Sequence, residues 1–64
     1  MTKTALEKLN DKQKLHLGLL KEDYKNNFRI EETRSRIGEY LCGLRDAGTL
    51  TEIERRSLFC YYTL

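Results

Sequence analysis

Few side chains in this sequence combine the type and the spacing that chemistry needs. His16 is the single histidine. Acid–base or nucleophilic catalysis would require an aligned acid, base or nucleophile beside it, and the sequence places none there, so a packed or half-exposed structural histidine accounts for it. Cys42 and Cys60 stand 18 residues apart, which matches no CxxC metal or redox spacing. A zinc centre takes about four sulfur or nitrogen donors; His16, Cys42 and Cys60 together fall short. In a reducing cytoplasm both cysteines are free thiols, with Cys60 serving as a small hydrophobe. Gly38 and Gly43 lack the GxxxxGK[ST] context of a phosphate loop and fall inside a helix, where they permit close packing. Tyr24, Tyr40, Tyr61 and Tyr62 would stack single-stranded nucleic acid only beside a basic groove, and they lie on apolar helical stripes, which assigns them to core or interface. No catalytic residue, cofactor or metal site is expected, and nothing reads as an enzyme.

The elements that would position these residues belong to one small domain of 64 residues. A chain of about this length buries only about 60% of its unfolded surface, so its stability is marginal without a supplement. Two cysteines are too few for a disulfide scaffold, which favours self-association. No apolar run resembles a signal peptide or approaches the roughly 20 residues that span a membrane, so a soluble, intracellular protein is expected. The net charge of +2 is too small to indicate nucleic acid. All six lysines lie between Lys3 and Lys25 and all six arginines between Arg29 and Arg56, a bias that a solvated helix face explains.

With no proline and apolar residues recurring every three or four positions, the chain reads as all-α, with helices over about 5–25, 30–47 and 50–63. Thr4 to Glu7 (TALE) fits a capping box for the first helix, although Asn10 offers a later start, and Asn26 and Asn27 end it. Leu6, Leu9, Leu17, Leu20 and Tyr24 share one stripe. In the second helix Ile30, Thr33, Ile37, Tyr40, Leu41 and Leu44 form a buried-type face, and Gly48 is a natural stop. Thr49 to Glu52 (TLTE) fits a second capping box. In the third helix Leu50, Ile53, Cys60, Tyr61 and Leu64 form an inner stripe, and Leu58, Phe59 and Tyr62 form another.

A helix in a three-helix monomer needs one buried face. The third helix offers two, and the first carries a further apolar pair, Leu15 and Leu19, away from its main stripe. The expected architecture is an antiparallel hairpin of the first two helices plus a C-terminal helix, assembled as a homodimer through Leu15, Leu19, Leu58, Phe59 and Tyr62. The monomeric alternative lays the third helix in a groove between the other two, covered on both sides; contact with a different protein is a further one. A helix-turn-helix is the main functional rival, with Arg55 and Arg56 as nucleic-acid contacts. Glu52 and Glu54 in the first turn of its would-be recognition helix disfavour it, because they repel the phosphate backbone.

The run DKQKLHLGLLKEDYKNNFRIEETRSRIGEYLCGLRDAGTLTE resembles the small early-region open reading frames of lambdoid phages, in particular the set encoded between the exonuclease and excisionase genes of phage lambda. The resemblance covers most of the chain and rests on overall similarity with no diagnostic motif. It implies an early-expressed, nonessential accessory protein that biases phage development toward lysis and perturbs the host cell cycle; with the surplus apolar faces, the expected function is non-enzymatic, in the host cytoplasm, through contact with a host or phage regulatory protein. It implies no catalytic residues.

Overall fold

The computed structural model describes residues 2–26 and 30–64, and these are all-helical, without a strand. Four helices follow one another: α1 (Thr2–Glu7), α2 (Asp11–Asn26), α3 (Ile30–Asp46) and α4 (Glu52–Tyr62). Asn27, one of the two residues expected to end the first helix, lies outside the described residues.

The helix expected over 5–25 is two helices, and Asn10 is the reason. Its Oδ1 accepts from the Gln13 N–H at 2.8 Å, while Gln13 Oε1 accepts from the Asn10 N–H at 2.9 Å. This reciprocal box satisfies two amide donors that a new helix start would otherwise leave open, so Asn10 starts a helix more readily than it continues one. Thr4 lies inside α1, not at a cap.

The α3–α4 junction also departs from expectation. Gly48 takes a positive φ of 84°, open to glycine at little cost. Around it the Gly48 N–H reaches the Arg45 carbonyl at 3.0 Å and the Thr49 N–H reaches the Leu44 carbonyl at 2.9 Å, the paired closure of a Schellman motif. Thr49 is thereby spent on closing α3, and Leu50 drops into the core. The capping box that starts α4 is Thr51 with Glu54, two residues later than the expected Thr49–Glu52 pair: Thr51 Oγ1 accepts from the Glu54 N–H at 3.2 Å, and Glu54 Oε1 accepts from the Thr51 N–H at 2.8 Å.

His16 and Tyr40, each ten residues from the ends of the α2–α3 connection, stack with ring centroids 4.4 Å apart, as in an antiparallel hairpin. α4 packs on α3, and α1 packs on α4. One core unites all four: Ala5 and Leu9 from the first segment, Leu17 and Leu20, then Ile37, Leu41 and Leu44, then Leu50, Leu58 and Tyr62. Leu6, Tyr24, Tyr40 and Phe59 pack half-buried against it. No buried side-chain polar atom among the described residues lacks a hydrogen-bond partner.

Candidate interaction surface

The sequence offers surplus apolar residues, and the fold decides which of them face outward. Leu58 is fully buried and Tyr62 is 5% exposed, so neither can meet a second copy. Phe59 is half-buried: its ring sits 3.4 Å from the position a Cβ on Gly38 would take, and the Arg34 guanidinium lies 5.5 Å over its face. The five residues expected to form an interface therefore divide. Leu58 and Tyr62 are core, Phe59 fills the α3–α4 seam, and Leu15 and Leu19 point to solvent at 66% and 55% exposure.

The inner and outer stripes of α4 are exchanged relative to expectation. Ile53, Cys60 and Tyr61, continued by Leu64, are exposed, and the expected inner stripe keeps only Leu50, which precedes the helix. Glu54 and Arg55 explain the reversal. They lie on the inward side of the first turns, where their side chains are only 13% and 17% exposed, and two charges there make the Leu58 side look solvent-facing in sequence. Partners remove that objection. Lys8 of the α1–α2 link bridges Glu54 at 2.8 Å, and Glu52 holds Arg55 through two hydrogen bonds of 2.8 Å. The one available signal is that Ser57 and Cys60 are small or polar, whereas Leu58 and Tyr62 are a bulky i, i+4 pair.

Glu52 is the hub of the charged network. Besides Arg55 it accepts from Arg45 at 2.6 Å and Arg56 at 2.9 Å. The Arg55 bonds first, then those of Arg45 and Arg56, hold its carboxyl well below the usual carboxylate range. Glu54 is lowered too, chiefly by Lys8. In return Glu52 raises both Arg45 and Arg55. Arg55 and Arg56, the candidate nucleic-acid contacts, thus both bond one carboxylate, Arg55 through Nε and one terminal nitrogen with its side chain 17% exposed, and Arg56 through Nε with its side chain 74% exposed.

The remaining candidates for chemistry do not converge. His16 is exposed beside Tyr40. Cys42 is half-buried on a shallow trough with Ser35, Gly38, Gly43 and Phe59, while Cys60 is exposed on α4 and does not serve as an inner-stripe hydrophobe. No group of three His, Cys, Asp or Glu that could hold a metal occurs among the described residues. None of the described helices is long and apolar enough to cross a membrane. The Lys21 ammonium lies 4.5 Å over the Tyr61 ring, tying α2 to the exposed side of α4. No family model matches the chain, and no curated protein or solved structure matches it.

Proposed function

We propose that the protein is a non-enzymatic interaction module that works as a homodimer in the host cytoplasm and engages a regulatory protein of host or phage, biasing phage development toward lysis or perturbing host regulation. The observation that carries this reading is the outer stripe of α4, continued by Leu64, where Ile53 at 60%, Tyr61 at 38% and Leu64 at 84% exposure stay outside the buried core. Apolar residues at helical spacing on an outward face are the usual anchors of a helix-mediated contact. The phage setting rests on the sequence resemblance alone.

Affinity capture from host-cell extract tests the reading, with Ile53→Asp as control. A partner retained by the native chain and lost with Ile53→Asp supports it. Identical captures by the two chains overturn the α4 assignment. The rival reading, a small DNA-binding regulator, is disfavoured by the engagement of Arg55 and Arg56 with Glu52. It requires duplex binding that weakens steeply with salt; retardation of a phage genome digest at low salt, lost with Arg55→Ala and Arg56→Ala, would establish it.

A further inference from the structure

The outward face of α2 carries two leucines and, on and around it, a set of charges that make no ion pair among the described residues. Asp11, Lys12, Lys14, Glu22, Asp23 and Lys25 are all exposed, and among the described residues none of them makes an ion pair. Other charges pair within the chain, Lys8 with Glu54, Arg36 with Glu32, and three arginines with Glu52, while Lys3, Glu7, Glu31 and Glu39 are exposed and, among the described residues, make no ion pair either.

The order of the unused charges is informative. At about 100° per residue, Leu15 and Leu19 mark the centre of the outward face. Measured from that centre, Lys12 and Asp23 lie about 40° and 60° to one side; Glu22 and Asp11 lie about 40° and 60° to the other, with Lys25 and Lys14 at its outer margin, about 100° and 120° round, from which only their long side chains reach the face. A two-fold axis perpendicular to the helix reverses its direction and keeps each edge opposite itself. Placed level with Leu17 and Gly18, that axis sets Leu15 against Leu19 of the second copy. It sets Lys12 against Asp23 on one edge. On the other it sets Asp11 against Lys25 and Lys14 against Glu22. Every charge meets its opposite, and each pair occurs twice.

We infer that the two copies of the homodimer meet through α2, antiparallel, with Leu15 and Leu19 at the centre and the three kinds of ion pair around them. This rests on the homodimer proposed above and names the face that forms it. A stable interface buries on the order of 800 Å² per partner; two leucines per copy put this contact at the small end, so pairing is concentration-dependent and its register is set by charge.

The test uses two charge-altered chains and sedimentation equilibrium. The Lys12→Glu, Lys14→Glu chain and the Glu22→Lys, Asp23→Lys chain each place like charges together in two of the three pair types, so each alone dissociates roughly tenfold or more readily than the native chain. Mixed in equal amounts they restore every pair and sediment near twice the 7.6 kDa chain mass. A Glu31→Lys, Glu39→Lys chain, with the same net charge as the second variant but altered on α3, does not pair with the first variant in this way and controls for bulk attraction. Circular dichroism verifies folding. A native dimer that survives both Leu19→Asp and the Lys12→Glu, Lys14→Glu change overturns the α2 face and leaves the homodimer standing. A mixture that stays monomeric, or that pairs no better than with the α3 control, also overturns it. A native chain of 7.6 kDa at every concentration overturns the homodimer and this face together.

Discussion

α2 and α4 present similar inventories and use them in opposite ways. Each carries an apolar pair spaced four residues apart, Leu15 with Leu19 and Leu58 with Tyr62, and each carries charges of both signs. On α4 the pair is core and its charges are tied to one another, to Arg45 and to Lys8. On α2 the pair is in solvent, and among its charges Lys21 alone has a described contact, with the rings of Tyr61 and Tyr62. Residue type does not distinguish the two cases. What distinguishes them is whether the rest of the chain supplies a counter-charge at the right height, as Lys8 and Arg45 do for α4.

Substitution should expose that contrast most sharply at the apolar pairs. Leu58→Ala removes a fully buried side chain and is expected to cost about 2–5 kcal/mol, a large share of the roughly 5–15 kcal/mol that holds a small domain together. Leu19→Ala, at 55% exposure, is expected to change monomer stability by less than about 0.5 kcal/mol. Urea unfolding at a concentration where the chain is monomeric compares them, and equal losses would erase the distinction between the faces.

Of intermediate size is the cap. Thr51→Ala deletes the hydroxyl that accepts from the Glu54 N–H and should cost about 1 kcal/mol. The same measurement applied to Thr49→Ala should show a smaller loss, since the Thr49 side chain does not cap α4.

The effect of acid is expected to be smaller per group and to come from one side of the molecule. The carboxyls of Glu52 and Glu54 are held below their ordinary value of about 4.5 in the folded chain. Each therefore favours the folded state fully above that value, and the contribution is lost as the pH falls below it. Glu52→Gln should flatten the decline of the urea midpoint between about pH 5 and pH 2.

Much of this was readable from sequence for reasons that are local. Gly48 announces the end of α3 because a left-handed residue is what that closure requires, and the stripe of Ile37, Leu41 and Leu44 repeats often enough to fix the buried face of α3. The errors arose where two local signals compete. Thr49 and Thr51 are both plausible caps, and the choice turns on a hydrogen bond to Leu44 that belongs to the preceding helix. Asn10 and Thr4 compete likewise, and a glutamine three residues after Asn10 decides it. The inversion of α4 is of another kind: Arg55 is paired within the helix by Glu52, but whether Glu54 can face inward depends on Lys8, 46 residues away, and no pattern within the helix carries that information.

The break at Asn10 also fixes the order in which the molecule comes apart. A six-residue helix cannot hold itself in water, since isolated helices shorter than about 12–15 residues are marginal. α1 is therefore helical on loan from Ala5, Leu9 and the Lys8–Glu54 bridge. Its amides exchange with solvent ahead of those in α3, and a protease meets the N-terminal turn as a separate, early-opening unit while the three longer helices are still closed.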